Sequence, residues 1–415
     1  MLFINTSPAT TSSLTPSVND PTAFLSDGFT SLASISIIGA SVSGLLAGIE
    51  AAKEGINVQI YEEHREIGVP EKCDGLVSAR GIAELGLVPP SNTIQNRIKR
   101  ALFFSPSKKT QIEINAERQN VLVLDRARFD KFLAEKAAST GVNINVGRRI
   151  NEISQGPDSV GVLLADGGTF QNDIVLDCSG YESYIRSGES ATLQGGQYLV
   201  YGRWFESATV EVYIDPEKAP GFFFWVIPIS NDMAKIGVAG SAVNTFKQLD
   251  RFCLEHAAIP IRKIAAPVVC LGALKQFVDR RVARAGDAAG QAKPTTGGGI
   301  YTCGYGGMLA GRAAALAIKN SNPLELENYE KQWRAKFGRE FRLQLYARNA
   351  FAKMNSAQIE DLFQMIKSSD VPQRISEESD FDMHSTSIIR ALGLSRVVRT
   401  FGMLFSNELK SLQFS

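Results

Sequence analysis

A short run of apolar, mostly β-branched residues at 35–38 is the first clear structural pattern of the chain and predicts a buried strand. Gly39 and Gly44 follow it, then a segment of helical composition and a second apolar run that ends at Glu62. This order predicts a dinucleotide-binding unit, with the pyrophosphate at the helix start and Glu62 on a ribose. Ser41 replaces the usual middle glycine and is small enough to be tolerated. An ordinary βαβ turn is the alternative.

A second glycine-rich pattern lies more than two hundred residues later. A small-residue strand ends at Asp287, and a glycine triplet at 297–299 leads into an alanine-rich helical pattern. A carboxylate can accept hydrogen bonds from a polyol, and a glycine run lets backbone N–H groups approach a flat ligand closely. Asp287 therefore predicts a ribityl contact, and Gly298, Gly299 and Ile300 predict contact with a flavin ring. The two patterns together predict one split FAD site.

The middle of the chain adds a strand, a helix start and a hairpin. Asp125 is a plausible N-cap for a helix that begins at Arg126, whose guanidinium could reach a phosphate. A solvated charge at a helix end is the alternative for Arg126. Alternation at 142–146 predicts a strand, and an Asp-Gly turn within 160–170 predicts a hairpin.

Residues 196–241 alternate as strands and carry many aromatic side chains, which are densest from Phe222 to Trp225. This pattern predicts a sheet that covers the flavin and lines an apolar tunnel. Aromatic residues on strands usually form a core, which is the alternative for most of them.

The chain has 415 residues, 44% of them hydrophobic, so it can bury a large core and form two or three domains. We expect an α/β fold: a Rossmann-like FAD-binding domain, an inserted antiparallel-sheet substrate domain and a helical C-terminal region. The expected boundaries are 1–34 for a disordered extension, 35–95 with 117–190 and 266–323 for the FAD-binding domain, 96–116 with 191–265 for the sheet domain, and 324–415 for the helical region.

Charge and composition exclude several functional classes. A net charge of +1 gives no field that favours nucleic acid, and no apolar run is long enough to cross a membrane. Five cysteines without paired spacing and three scattered histidines favour a reducing compartment and no metal site. We therefore expect a cytoplasmic protein. The apolar, arginine-containing stretch at 387–405 either contacts the inner face of a membrane peripherally or packs on the protein's own core.

The assembled motifs resemble the geranylgeranyl reductase family, in the hydroxylase-like branch of the glutathione-reductase-type FAD fold. The similarity covers about residues 35–320 and is most specific at 67–78 and 286–301. The resemblance implies an FAD-dependent enzyme that saturates double bonds of geranylgeranyl chains, in an isoprenoid lipid or a prenyl diphosphate. It also implies a reduced electron donor, either ferredoxin or NAD(P)H.

The resemblance also implies roles for individual residues. Cys73 is the catalytic candidate, as a proton relay or a marker of the flavin face, and a small buried hydrophobe is its alternative. A Cys73–Cys303 disulfide stays open. The stretch at 220–228 is similar to the family's aromatic motif and implies substrate contacts for Phe223, Trp225 and Pro228, although phenylalanines at 222 and 223 and an isoleucine at 227 depart from that motif. Lys293 either binds a substrate phosphate or the pyrimidine edge of the flavin, or it is solvated. We favour the solvated alternative.

Two other function classes remain open. One is another flavoenzyme of the same fold, such as an aromatic hydroxylase or halogenase. The hydroxylase-like branch usually has Asp-Gly where this chain has Ser179-Gly180, which weakens a monooxygenase interpretation. The other class is a non-catalytic, electron-transfer flavoprotein.

Overall fold

The computed structural model describes residues 34–186, 193–269, 272–378 and 380–383, all within the unit Ala33–Ser415. The first strand begins at Ser34, which is the last residue of the expected N-terminal extension. The rest of that extension and the membrane-facing candidate at 387–405 lie outside the described residues.

The strands and helices are as follows in chain order. The strands are β1 (Ser34–Ile38), β2 (Asn57–Glu62), β3 (Leu76–Ser78), β4 (Ile94–Ile98), β5 (Arg100–Phe104), β6 (Gln111–Asn115), β7 (Val121–Leu124), β8 (Asn143–Val146), β9 (Ile150–Gln155), β10 (Val160–Leu164), β11 (Thr169–Asn172), β12 (Ile174–Asp177), β13 (Gln194–Tyr201), β14 (Thr209–Tyr213), β15 (Phe224–Pro228), β16 (Met233–Gly240), β17 (Ile259–Ala265), β18 (Val278–Asp279) and β19 (Val282–Arg284). The helices are α1 (Val42–Lys53), α2 (Ala79–Glu84), α3 (Arg126–Ser139), α4 (Tyr181–Arg186), α5 (Thr245–Glu255), α6 (Ile300–Lys319), α7 (Leu326–Phe351), α8 (Ser356–Lys367) and α9 (Val371–Glu378).

A six-stranded sheet forms the centre of the nucleotide-binding part, in the order β18-β19-β12-β1-β2-β8. Its pairs are parallel except for β18 with β19. Ile35, Ile37, Val58 and Ile60 are fully buried. A parallel strand covered on both faces buries such apolar residues, although Ser36 and Gln59 alternate with them in β1 and β2.

A seven-stranded sheet has the order β17-β13-β16-β15-β14-β5-β6. Its pairs are antiparallel except β14 with β5, which run parallel. Phe224 packs in a cluster with Phe252 of α5, whereas Trp225 packs in a different cluster with Phe363 of α8. Alternation along β15 therefore directs neighbouring aromatic rings to opposite faces of the sheet.

The predicted fold class is confirmed: a Rossmann-like α/β part, a largely antiparallel sheet and C-terminal helices. The predicted hairpin at 160–170 is present as β10 and β11. β4 pairs with β7 rather than with the seven-stranded sheet. In the described part of the chain, no helix is both long enough and apolar enough for a membrane crossing.

Candidate active site

The N-terminus of α1 lies at a turn that only glycine can make. Gly39 has a φ of +96°, and a Cβ there would collide with the carbonyl oxygen of Cys178. The backbone N–H of Ala40 donates to Glu62 Oε2 at 2.8 Å, which ties the turn to the end of β2. Ser41 is the N-cap, but its side chain does not cap the helix. The first N–H groups of α1 are thus open toward an anionic ligand.

Helices α1 and α6 touch through their backbones. A Cβ at Gly307 would collide with the carbonyl oxygen of Ser43, and one at Gly311 would collide with that of Ala47. Because the contacts follow the same order along both helices, the helices run in the same direction. Gly307 is the eighth residue of α6 and Ser43 the second of α1, so α6 begins roughly 9 Å before the start of α1 and projects beyond its N-terminus. One elongated ligand can therefore span both helix N-termini.

Asp287 lies between these two helix starts. Cys303 Sγ donates to Asp287 Oδ1 at 3.5 Å, and a Cβ on the neighbouring Gly286 would touch Ser43. Burial raises the pKa of the Asp287 carboxyl, although Cys303 and the charge of Arg126 oppose the rise. Gly299 is the N-cap of α6 and Ile300 its first residue. Asp287 is therefore a partly buried acceptor between the two helix starts.

Arg126 is buried and ion-paired, so the alternative of a solvated helix-end charge is wrong. Its guanidinium contacts the Asp130 carboxylate at 2.9 Å and donates to Ser41 Oγ at 3.1 Å. Burial disfavours the charge, but Asp130 outweighs it and raises the pKa of Arg126. The predicted N-cap, Asp125, accepts from the Arg128 N–H. Arg126 thus links the start of α3 to the N-terminus of α1.

Cys73 and Cys303 are both free thiols in the structure, with no disulfide between them. The Cys73 side chain is half-buried and interacts with the Arg126 guanidinium. Cys73 also raises the pKa of the Cys303 thiol, although burial is the main cause of that rise. The structure therefore brings Cys73 together with Arg126, Asp287 and Cys303.

The aromatic residues form one face of β15 and the turn before it, which we call the aromatic wall (Phe222, Phe223, Trp225 and Ile227). The Phe222 and Phe223 rings stack with centroids 4.1 Å apart, and Trp225 meets both edge-on. A Cβ on Gly297 would lie 3.8 Å from Phe222 Cζ, so the wall meets the glycine triplet. Pro228 alternates with Ile227, which directs its side chain to the opposite face.

Several charged residues at the site escaped the sequence-based predictions. Glu71 and Lys235 are buried and paired at 2.7 Å, although 164 residues separate them. Lys235 is a lone cation within an apolar strand, a signal that could have indicated a buried partner. Asp177 accepts from Ser179 and Ser183, so a carboxylate does lie beside the Ser179-Gly180 turn. These contacts depend on folding, since sequence spacing does not reveal them.

Lys293 is buried rather than solvated, which corrects our preferred interpretation. Its ammonium pairs with Asp382 at 3.1 Å and lies 4.3 Å from the centre of the Phe381 ring. Asp382 also accepts from Ser78 Oγ. Residues 381–382 therefore pack on the loop that precedes the glycine triplet.

The residues fit FAD. Two helix N-termini without side-chain caps face the ligand path, and only glycine is tolerated at the first turn. A partly buried acceptor, Asp287, lies between them. No group of three or more metal-ligating side chains occurs in the described ranges.

The comparisons with known proteins agree with this geometry. The tryptophan halogenase family model matches residues 91–349. A digeranylgeranylglycerophospholipid reductase of Methanosarcina mazei is 30% identical, with 80% of this chain and 88% of the relative covered. The chain belongs to the digeranylgeranylglycerophospholipid reductase family. It is thereby a member of the wider tryptophan halogenase group and an FAD-dependent oxidoreductase.

Two further matches support the family and the fold. Digeranylgeranylglycerophospholipid reductase 2 of Methanopyrus kandleri is 28% identical, with 82% of this chain and 92% of the relative covered. The crystal structure of a geranylgeranyl bacteriochlorophyll reductase-like protein from Thermoplasma acidophilum superposes with a TM-score of 0.78 at 23% identity. That match covers 90% of this chain and all of the other, so the reductase shares the fold over nearly its whole described length.

Proposed function

We propose that this reductase saturates carbon–carbon double bonds of geranylgeranyl chains, in isoprenoid diphosphates or in membrane-lipid precursors. The observation that carries the proposal is the aromatic wall against Gly297, in a chain of this family. An isoprenoid chain has no polar groups, so its binding needs an apolar surface next to the reacting cofactor. The wall provides this surface at the expected place.

The cofactor would be held along the path between the two helix starts. The open N–H groups at the start of α1 favour a pyrophosphate. Glu62 Oε1 contacts both the N–H and the Nδ1 of His64, whereas Oε2 accepts from the Ala40 N–H and retains a lone pair for a ribose hydroxyl. Asp287 would accept from the ribityl chain. The proposed cofactor-binding residues are Gly39, Ser41, Gly44, Glu62, Arg126, Asp287, Gly298, Gly299 and Ile300.

The proposed reaction needs both a hydride and a proton, because an isolated alkene cannot stabilise a carbanion. Reduced FAD supplies the hydride when it is bound. The wall residues Phe223 and Trp225 orient the chain and exclude water, with Pro228 holding the end of β15. Cys73, next to Arg126 and Cys303, would lie at the flavin face, either as a proton relay or as a marker of that face.

Three finer assignments complete the proposal. The FAD-binding, sheet and helical domains would have the boundaries given by the sequence patterns. The electron donor would be reduced ferredoxin or NAD(P)H. The enzyme would work in the cytoplasm, in peripheral contact with the membrane that holds its lipid product.

The proposal is tested with purified protein that contains FAD and is reduced with dithionite. Geranylgeranyl diphosphate and a digeranylgeranyl glycerophospholipid are offered separately, and mass spectrometry records hydrogen gain in steps of two. Asp287→Asn, which we expect to weaken FAD binding, is the control at equal protein concentration. Bound flavin without any mass shift on either substrate would refute the proposal.

Halogenation or hydroxylation is the second candidate, because the tryptophan halogenase model matches residues 91–349. Both reactions consume oxygen, whereas alkene reduction does not. The same reduced enzyme is therefore monitored for oxygen uptake with a halide and an aromatic substrate. Substrate-dependent oxygen uptake with a halogenated or hydroxylated product would favour this candidate. Electron transfer to a partner protein without any change in a lipid would favour the non-catalytic alternative.

A further inference from the structure

A buried carboxyl oxygen, Asp74 Oδ1, lies on the residue next to Cys73 and has no hydrogen-bond partner among the described residues. Asp74 is partly buried, and its Oδ1 atom is closed off from solvent. Among the residues that the structure describes, no donor bonds to this atom. Burial raises the pKa of the Asp74 carboxyl to about 6, against the opposing influence of Lys235. A carboxyl in this position favours its neutral form more than an exposed aspartate does.

The cations nearby are directed to a different carboxylate. Lys235 Nζ pairs with Glu71 Oε1 at 2.7 Å, and it meets Asp74 only through the backbone carbonyl, at 3.1 Å. Arg262 pairs with the second oxygen of Glu71 at 2.5 Å, and the backbone N–H of Arg126 also donates to Glu71. These partners outweigh burial and lower the pKa of Glu71. Folding therefore shifts the pKa values of two carboxyls three residues apart in opposite directions, a pattern typical of acid–base sites.

The Asp74 carboxyl also faces the aromatic wall. The Trp225 indole lowers the pKa of the Asp74 carboxyl, yet no hydrogen bond of ordinary geometry joins Trp225 Nε1 to Asp74 Oδ1. Trp225 Nε1 is itself buried without an acceptor in the described part of the chain. The face of Trp225 lies over Gly237, where a Cβ would collide with the indole ring. Two unpaired polar groups thus meet between the Cys73 loop and the wall, where they stay available to a third group.

We propose that Asp74 holds the proton that is added to the alkene. The Asp74 O–H bond breaks as a C–H bond forms at one alkene carbon, and the other carbon takes the hydride that reduced FAD would supply when bound. The alkene gains two electrons and two hydrogens, reduced FAD would be the two-electron donor, and water returns a proton to the Asp74 carboxylate. This inference rests on the proposed function and adds the source of its proton.

The test uses holoenzyme with the substitution Asp74→Asn, and Asp158→Asn in an exposed turn as the matched control. The first measurement is an infrared pH titration of oxidised enzyme between pH 4 and 8, without substrate. Wild type and D158N should show a protonated-carboxyl band that disappears near pH 6, and D74N should lack it. Absence of such a band from wild type would overturn the inference.

The second measurement is single-turnover reduction of geranylgeranyl diphosphate by dithionite-reduced enzyme. D74N should react at least about 100-fold more slowly at unchanged flavin content, since a general acid contributes that much or more. The wild-type rate should fall as the pH rises through about 6, and Asp74→Glu should restore part of the D74N loss.

The two proposals can fail separately. If wild type reduces the isoprenoid and D74N does so at the same rate, the proton role of Asp74 is wrong and the proposed function stands. If wild type reduces no isoprenoid, both are wrong. Should D74N not fold, the infrared titration of wild type labelled with 13C at aspartate carboxyls and the D74E rate still decide the inference.

Discussion

Polar groups are hydrogen-bonded at one end of the candidate site, whereas two of them lack partners among the described residues at the other end. At the α1 end, Glu62 accepts backbone N–H groups from Ala40 and His64 within one βαβ unit. At the aromatic wall, Asp74 Oδ1 and Trp225 Nε1 are buried without partners among the described residues. A buried polar group left unpaired costs about 1–3 kcal/mol. The difference indicates that the α1 end is shaped for rigidity, whereas the wall end retains unpaired groups for chemistry.

The same contrast appears on a smaller scale within the Cys73 loop. Glu71 has two cationic partners, one of them fully buried, and Asp74 has none. Glu71 therefore ties the loop to β16 and β17, while Asp74 stays free to exchange a proton. Substitutions on either side of this contrast should therefore have different effects on stability and on flavin binding.

Replacing Lys235 by methionine should have the largest effect on stability. The change leaves Glu71 buried with the half-exposed Arg262 as its main partner, and removal of one partner from a buried pair costs about 3–5 kcal/mol. Because the pKa of Glu71 is lowered by folding, its contribution is present above its ordinary pKa and is lost as the pH falls below it. Urea unfolding at pH 7 and pH 4 should show the deficit shrinking at the lower pH.

The matched control for this change is Lys263→Met, which removes an exposed lysine from β17. It should leave the free energy of unfolding close to that of the wild type, because ion pairs of exposed side chains contribute little. If K235M were as stable as K263M at pH 7, Glu71 would not tie the loop to the sheet.

Gly307→Val tests the rigid end of the site and should cost about 3 kcal/mol. The valine side chain would collide with the backbone of Ser43 and force α1 and α6 apart, because overpacking a close helix contact strains both elements. Since the two helix starts would no longer align, bound flavin should fall as well. Flavin absorbance per protein and urea unfolding measure the two effects.

Gly338→Ala in α7 is the control, since its Cβ would meet only Arg334 Cβ at 3.7 Å. It should be neutral or stabilising by up to about 1 kcal/mol, because alanine is the better helix former. A G307V protein with normal flavin content would show that the α1–α6 contact does not position the cofactor.

Much of the rigid end could be predicted from the sequence, because its residues follow one another in a fixed local order. Gly39, Ala40 and Glu62 belong to one strand–helix–strand unit, so their spacing predicts their geometry. The predicted cap at Asp125 was confirmed for the same reason. The partners of Lys235 could not be predicted, since Glu71 lies 164 residues away and only the packing of the sheet against the loop brings them together. Lys293 was misjudged because its partner, Asp382, comes from the distant C-terminal part.

The free energy of unfolding of the wild type should fall between pH 4 and pH 7 as Asp74 ionises. Asp74→Asn should remove about 2 kcal/mol of this fall. The pKa of Asp74 is raised by folding from 3.8 to about 6, so its contribution is present below pH 4 and is lost as the pH rises through 6. The full difference is about 3 kcal/mol, and partial exposure of the residue reduces it. Urea unfolding of wild type, D74N and D158N at intervals from pH 4 to 7 measures this slope. Parallel curves for wild type and D74N would show that folding does not shift the titration of Asp74.

Asp287→Asn should have the smallest effect on stability. It should stabilise the flavin-free protein slightly and weaken cofactor binding. Burial raises the pKa of Asp287, so the charged form is disfavoured in the folded protein, and a neutral amide should stabilise the flavin-free protein at pH 7 by about 1 kcal/mol. The same change replaces a charged acceptor for the ribityl hydroxyls, which should weaken FAD binding about 10- to 100-fold. Fluorescence titration with FAD measures the second effect and urea unfolding of flavin-free protein the first, with D158N as the control for both. Equal FAD affinity in D287N and D158N would place the ribityl chain elsewhere. Loss of both stability and affinity would mean that Asp287 stabilises the fold. Asp287 would then belong to the rigid end of the site.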